Sequence, residues 1–435
     1  MNVETKTLVG TINAMLGAEE IIFMRPPRGY RITIDGRFVR SYSPVFDPHW
    51  VLKLLRAIYG LKQSGRCWEA RLRAFLKKIG AQQCSHDPCL WSFKNGTLHL
   101  FFVVYVDDLV IASNSDEHRE EFLKILKGTF KLRDNGPLTW VFGAGIVQDL
   151  TAGTVTLNQT IYLEELIQAV GRPTRARKTR ITPCTEEITR LPKLEEESLI
   201  HPNYRSIIGK LMWAWIISRP DIGFSVAYLS RFSSGGGEEH YEAACRIVDY
   251  LHATKEKHIV YRRAPTGVLE ALLTKHTEFN QLPFTQDQIK MWSDASHGGE
   301  RPMVGDIGFI ADGPFTWSSY RLKTTPLSVC EGEYFSATHA ATAAVANAYV
   351  ANFLGLTQTG PIPIFCDNIA AVLLSDAGKS SKRMLHVATR MAFLRELVEA
   401  KEIILLHTRA PGQIADIFTK PLAANDFHAL RSFLL

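Results

Sequence analysis

The chain has 435 residues, 46% of them hydrophobic, and a formal net charge of +6 at pH 7. That length exceeds the usual single-domain range and the apolar share is ordinary for a soluble protein, so at least two separate cores are expected. No apolar run reaches the roughly 18–20 residues of a membrane span. The start, with Glu4 and Lys6 and no apolar stretch after a basic cluster, is not a signal peptide, so a soluble intracellular protein with no membrane partner is expected. Seven cysteines, scattered without paired spacing, argue against a disulfide framework and a structural zinc site. The modest positive charge is compatible with phosphate binding but does not demand it.

In chain order, residues 1–50 read as irregular, with one short strand candidate at Ile21–Met24. From Trp50 to Gly80 a turn precedes an amphipathic helix. Trp68, Leu72, Phe75, Leu76 and Ile79 recur at helical spacing, with Arg71, Arg73, Lys77 and Lys78 between them. Leu98 to Val106 reads as an apolar strand that Asp107-Asp108 interrupts and Leu109 to Ala112 resumes, which predicts a hairpin with two acids at its tip.

A charged helix (Glu117 to Leu126), a glycine-rich stretch (Gly143 to Gly145), a strand near Thr154 to Leu157 and a helix from Ile161 come next. The basic, proline-containing segment Arg172 to Pro183 marks a boundary. Residues 200–262 read as largely helical, over Ile207 to Ile217 and Gly237 to Leu251, with Gly235-Gly236-Gly237 as a flexible joint and a second linker near Thr266 to Gln288.

The last segment reads as strands ending at Asp294, at Ile307 to Ile310 and at Phe315 to Trp317, then an alanine-rich helix from Glu331 to Phe353. A strand Ile362 to Cys366, helices Asn368 to Ser375 and Lys382 to Ala400, a strand Ile403 to His407 and a closing helix from Gln413 complete a mixed α/β layer.

Asp is a common turn residue, so a plain hairpin turn is one reading of Asp107-Asp108. Two adjacent carboxylates between buried-type strands repel each other, however, and a bound divalent cation offsets that cost; magnesium prefers such hard oxygen ligands. Enzymes that join nucleotides hold two magnesium ions roughly 3.5–4 Å apart and need aspartates on rigid strands to do so. Tyr105-Val106-Asp107-Asp108 fits that need.

With Tyr59-Gly60-Leu61-Lys62-Gln63 and Trp68 upstream, the Tyr-Val-Asp-Asp hairpin resembles the copia-type reverse transcriptases of retrotransposon polyproteins, in the family's order and spacing. The resemblance continues through Phe130 to Gly143, Leu157-Asn158-Gln159, Tyr162 and Arg219-Pro220-Asp221-Ile222, nearly the whole chain. It implies a polymerase palm with Asp107 and Asp108 as metal-binding catalytic acids. It also implies Lys62 and Gln63 near the nucleotide pocket and Tyr105 beside the incoming dNTP. Read alone, Lys62-Gln63 is a polar loop and Tyr105 is strand packing.

The family carries a further aspartate upstream, in a motif resembling Asp-Val-Lys-Thr-Ala-Phe-Leu-Asn. Here Ile12 to Leu16 matches the end of that motif and Ile22 to Tyr30 matches the family's next segment. Lys6 or Leu8 occupies the aspartate's place, depending on how Gly17-Ala18 is handled, and Glu4 is the nearest acid. A lysine there would repel the metal that activates the nucleophile, so a defective polymerase with a truncated palm lacking its fingers strands is expected.

In the C-terminal segment, Asp294, Glu331, Glu333, Asp367 and Asp416 each have an ordinary explanation as strand-end, helix-cap or first-turn acids. Collectively they fall where one edge of a mixed sheet would gather them, the edge at which ligands usually bind. That arrangement resembles ribonuclease H, matched at Trp292-Ser293-Asp294, Ser328 to Tyr334, Cys366-Asp367-Asn368 and Ala415 to Pro421. The resemblance implies a two-metal site of Asp294, Glu333, Asp367 and Asp416. Glu333 fits the family pattern better than Glu331, which is held in reserve; His386 and His407 are left outside the site.

The expectation is thus a multidomain α+β and α/β chain: a palm at 1–185, a mainly helical thumb and connection at 186–288, a ribonuclease H-like domain at 289–425 and a tail at 426–435. Expected ligands are Mg2+, with Mn2+ as the alternative, an RNA/DNA hybrid, primer-template and dNTPs. The rival expectation is an inactive relic that folds or binds nucleic acid without chemistry.

Overall fold

The computed structural model describes residues 4–10, 23–24, 31–34, 37–40, 52–54, 57–58, 61–171, 180–192, 200–276, 285, 287–296, 301–368 and 388–435. Of 4–10, 31–34 and 37–40 it describes the backbone alone. Outside the described residues lie Ile12 to Leu16, Tyr59-Gly60, most of Ile22 to Tyr30 and of the Arg172 to Pro183 boundary, nearly all of the helix read at Asn368 to Ser375, and His386. The chain divides into two compact units, Met1–Leu138 and Thr139–Leu435.

In the first unit, β1 (Glu4–Gly10) precedes the short pieces β2 (Phe23–Met24), β3 (Arg31–Ile34), β4 (Arg37–Arg40) and β5 (Leu52–Lys53). Then come α1 (Ser64–Lys78), β6 (Gln82–Gln83), β7 (Leu90–Asn95), β8 (Leu98–Tyr105), β9 (Asp108–Ser113), α2 (Asp116–Lys127) and β10 (Leu132–Pro137). The main sheet is antiparallel, in the order β10-β1-β9-β8-β7-β6.

The predicted α1 face is the buried one: Trp68, Leu72 and Leu76 pack with Leu100, Phe102, Leu109 and Ile111 of the sheet and with Phe122, Leu123 and Leu126 of α2. Burial of each such side chain contributes about 1.5–3 kcal/mol. α2 starts where Ser115 accepts the backbone N–H of His118 at 3.2 Å, with Asp116 and Glu117 in its first turn. The irregular reading of 1–50 is corrected by β1. Its Glu-Thr-Lys-Thr start shows no apolar stripe, but hydrogen bonding to β9 on one side and β10 on the other makes it a strand.

The second unit begins with β11 (Trp140–Val141), β12 (Ala144–Asp149), β13 (Thr154–Asn158) and α3 (Thr160–Val170). The helices α4 (Tyr204–Ile217), α5 (Gly223–Ser230) and α6 (Glu238–Ala253) succeed them, then β14 (Ile259–Arg262) and α7 (Val268–His276). β14 pairs with β13 and completes a four-stranded sheet, β11-β12-β13-β14. The mixed layer comprises β15 (Lys290–Ala295), β16 (Met303–Ile310), β17 (Gly313–Arg321), α8 (Val329–Phe353), β18 (Ile362–Cys366), α9 (Ala388–Glu399), β19 (Ile403–His407) and α10 (Ala424–Arg431). Its sheet order is β17-β16-β15-β18-β19, antiparallel across the first three strands and parallel from β15 to β18 to β19.

Two sequence readings are corrected here. The Gly235-Gly236-Gly237 segment is a packed turn: the N–H groups of Gly235 and Gly236 both reach Phe232 O, and a Cβ on Gly236 would stand 2.3 Å from the Tyr204 ring. Part of the presumed linker 266–288 is α7, anchored by buried Leu269 and Leu273 one turn apart; residues 277–284 lie outside the described residues.

The Arg219-Pro220-Asp221 motif is a buried ion pair. Arg219 Nε and Nη2 donate to the two Asp221 oxygens at 2.9 and 2.8 Å, and Tyr250 on α6 also donates to Asp221. Leu211, Ile222 and Phe224 share one continuous core with Trp292, Ile307 and Phe418 of the mixed layer. Among the described residues no helix is long and apolar enough to cross a membrane.

Candidate active sites

In the hairpin, Tyr105 pairs with Asp108, leaving Val106 and Asp107 as a two-residue tip. Val106 has φ 53°, in the left-handed region that a β-branched residue rarely adopts and where such turns usually place glycine. Buried Trp68 of α1 donates its indole N–H to Val106 O at 2.7 Å and so ties the tip to the helix. Burial first, then the Asp107 carboxylate, raise the pKa of Asp108 above the usual carboxylate range.

Exposed Lys62 and half-buried Gln63 form the turn that opens α1, with Gln63 O accepting the Cys67 N–H at 3.0 Å. Tyr105 is 55% exposed. A cleft of ≈ 370 Å³ between α1 and the hairpin is lined by Trp68, Leu72, Trp91, Val104, Tyr105 and Val106.

The register of β1 locates the residues expected from the sequence to stand near the family's upstream aspartate position. Val9 is paired with Asp108 and Leu8 with Leu109, while Lys6 is opposite Ile111 and Glu4 opposite Ser113, at the far end of β9. At about 3.3 Å per residue, Glu4 stands roughly 16 Å along the strand from the position beside Asp108.

In the second unit, Asp294 is 1% exposed near the end of β15, Glu333 is buried in the second turn of α8, and Asp367 directly follows β18. Each offers a carboxylate oxygen, and these oxygens all lie within 4.8 Å of one another. Burial first, then the charges of Asp294 and Asp367, push Glu333 up to about 9.

Asp416 lies in a 3-10 turn, Ile414–Phe418, so the closing helix read from Gln413 begins as 3-10 and becomes α-helical only at Ala424. The turn is tied down by its neighbours: Trp292 donates to Gly412 O at 3.0 Å, and Gln413 Nε2 donates to Ser293 O at 3.0 Å. Gly305, opposite Asp294 in the sheet, makes the approach feasible, since a Cβ there would come within 2.5 Å of the Phe418 Cβ. Asp416 thereby feels the charges of both Asp294 and Asp367. Burial first, then Asp294, push it up to about 7.

Residues outside the expected set complete the site. Thr419 donates its hydroxyl to Asp294 Oδ2, and Lys420 Nζ is 2.8 Å from Asp416 Oδ1. Burial works against the charge on Lys420, but Asp294 and Asp416 outweigh it and hold the ammonium above the usual lysine range. Both residues fall within the Ala415 to Pro421 motif, yet only the turn shows what they touch. His407 Nε2 is 3.2 Å from the backbone oxygen of Asp367, a contact with no local signal in the sequence. Glu331 takes another role: its N–H donates to Ser328 Oγ and its carboxylate accepts the Leu327 N–H, which caps α8.

Three carboxylate oxygens this close, with Glu333 and Asp416 held toward their protonated forms by burial and mutual repulsion, are a donor set suited to a hard divalent cation.

Residues 1–185 match the family described as reverse transcriptase (RNA-dependent DNA polymerase). Over 88% of its length the chain is 30% identical to the retrovirus-related Pol polyprotein from transposon RE1 of Arabidopsis thaliana, covering 25% of that protein. Over 96% it is 26% identical to the corresponding polyprotein from transposon TNT 1-94 of Nicotiana tabacum, covering 29% of it. The chain is thus a relative of the Pol polyproteins of copia-type retrotransposons and spans between a quarter and a third of their length. It is also 28% identical, over 78% of its length, to a putative transposon Ty5-1 protein of Saccharomyces cerevisiae, of which it covers 98%. Among solved structures, RNase H1 from Halobacterium salinarum NRC-1 aligns with 30% of this chain and 94% of its own at 17% identity and a TM-score of 0.24.

Proposed function

We propose that residues 289–425 form a ribonuclease H-type nuclease that hydrolyses the RNA strand of an RNA/DNA hybrid, with Asp294, Glu333, Asp367 and Asp416 as its catalytic acids. The convergence of three carboxylate oxygens within 4.8 Å carries this reading. Mg2+, or Mn2+, would be held by these four residues; bound there, the metal supplies Lewis-acid polarisation of the scissile phosphate and the attacking water. The chain's own groups orient the acids: Thr419 fixes one oxygen of Asp294, Ser336 Oγ donates to the Asp294 carbonyl at 2.8 Å, and Lys420 balances Asp416.

In the same proposal, residues 1–185 are a reverse transcriptase palm with Asp107 and Asp108 as its metal acids and Lys62, Gln63 and Tyr105 around the incoming dNTP on a primer-template. Residues 186–288 are the helical thumb and connection, and 426–435 the tail. The polymerase is defective as the chain stands. The register of β1 supports this, because its one acid, Glu4, pairs at the end of β9 farthest from Asp108. The protein works inside the cell, in a cytoplasmic particle or the nucleus. The second reading, a relic without chemistry, draws on the same strand, but the four acids of the nuclease set weigh against it.

The test is incubation of the purified chain with magnesium and a labelled hybrid. RNA cleavage is expected, reduced at least about 100-fold in Asp367→Asn; cleavage that survives the substitution removes Asp367 from the site. Primer extension by the unaltered chain would contradict the defective polymerase.

A further inference from the structure

The flank of α8 that faces β16 and β17 carries an ion pair that the proposed hydrolysis does not use. Asp306 on β16 is 1% exposed. Its Oδ2 accepts from Ser318 Oγ of β17 and meets Nδ1 of His339 of α8 at 2.6 Å. The His339 side chain is 44% exposed, so a ring anchored at one nitrogen presents its remainder to solvent. Tyr320 of β17 packs on that ring with centroids 4.9 Å apart. One turn earlier on α8, Phe335 supports the guanidinium of Arg390 from α9 at 3.7 Å from its ring centroid, and the Arg390 charge reaches the Tyr320 phenol. Among the described residues the titratable groups in contact with His339 are thus Asp306 and Tyr320, while Arg390 packs on Phe335 one turn away and acts on Tyr320.

Burying a carboxylate is costly unless a cation and hydrogen bonds compensate it. Here the compensating cation is a surface imidazole, so the buried acid fixes the orientation of an exposed charge. The Asp306 hydrogen bond, the largest effect, raises the His339 pKa and outweighs the opposing effect of burial.

We infer that His339 and Arg390 form a phosphodiester-binding subsite on this flank, with Asp306 and Phe335 as positioning residues, and that it seats a backbone phosphate of the bound nucleic acid. The inference rests on the proposed nuclease reading for its choice of an RNA/DNA hybrid as ligand. Its chemistry is that of an oriented imidazolium and a ring-supported guanidinium, both suited to phosphate oxygens.

The test is the affinity of the whole chain for a fluorescently labelled RNA/DNA hybrid, measured by anisotropy in calcium so that binding is read apart from cleavage. His339→Ala is expected to weaken binding about three- to tenfold and to reduce the salt dependence by about one phosphate contact. In magnesium it should raise KM while leaving kcat unchanged. Because His339 is charged below its raised pKa, wild-type affinity should fall as pH climbs through that value. Asp306→Asn should move the fall to lower pH, and His339→Arg should restore affinity and abolish the pH dependence.

Wild-type affinity in His339→Ala across roughly pH 6–8, or a loss of kcat instead of KM, overturns the subsite. Binding that depends on His339 in a chain that cuts nothing leaves the subsite standing and the nuclease reading fallen. Cleavage by the wild type with no dependence on His339 gives the reverse.

Discussion

Glu333 and Asp416 hold their protons more tightly in the folded chain than in the unfolded one, because burial and neighbouring acids raise them to about 9 and about 7. Their contribution to stability is therefore fully present below their ordinary carboxylate values, near pH 4, and is lost as pH rises through 7 and then 9. In EDTA the Tm is expected to fall across that window, and magnesium, which takes the ionised acids, should flatten the fall; a metal-free Tm that rises with pH contradicts the assignment. Lys420 belongs to the same balance. Lys420→Met should lower the Tm in EDTA by about 2–4 °C and by less in magnesium, and an equal loss in both would show that Lys420 does not balance the acids. The grouping of Asp294, Glu333 and Asp367 was legible in the sequence because each sits in a short motif that carries the resemblance to ribonuclease H. The Asp306–His339 pair was not, since 33 positions and the whole of β17 separate its members and no spacing rule joins them.

Elements were readable where one face repeats. α1 and α2 announce their buried stripes, and the apolar runs of β8, β9, β18 and β19 mark them as strands. β1 was missed because its start is polar, and β14 because four residues are too few to show a period; both owe their form to neighbours already in place. α7 was missed because its nine residues are too few to display a helical period, with two leucines buried and Leu272 partly so. The glycine run at 235–237 shows how composition misleads: three glycines suggest freedom, whereas Gly236 is needed for contact with Tyr204. Gly236→Ala should cost about 1–3 kcal/mol of unfolding free energy by urea titration, with the m-value unchanged. A neutral substitution would return the segment to the status of a joint.

At the scale of the whole molecule, segments of the second unit that look separable in sequence share one interior. Trp317 of β17 donates to Trp215 O of α4 at 3.0 Å, and the core containing Leu211 and Phe224 runs on through Trp292 and Phe418. A fragment of residues 139–435 is expected to unfold cooperatively, whereas residues 289–435 alone should bind hydrophobic dye and lose near-ultraviolet dichroism. A well-packed 289–435 fragment would overturn that expectation. The turn that brings Asp416 against β15 also sets an order in time. Synthesis reaches Asp294 first and Asp416 last, so every growing chain short of residue 416 holds at most three of the four acids. On the proposed function, a chain short of residue 416 is a nuclease still missing a part, and cleavage of a hybrid begins only once the Ile414–Phe418 turn has docked against β15.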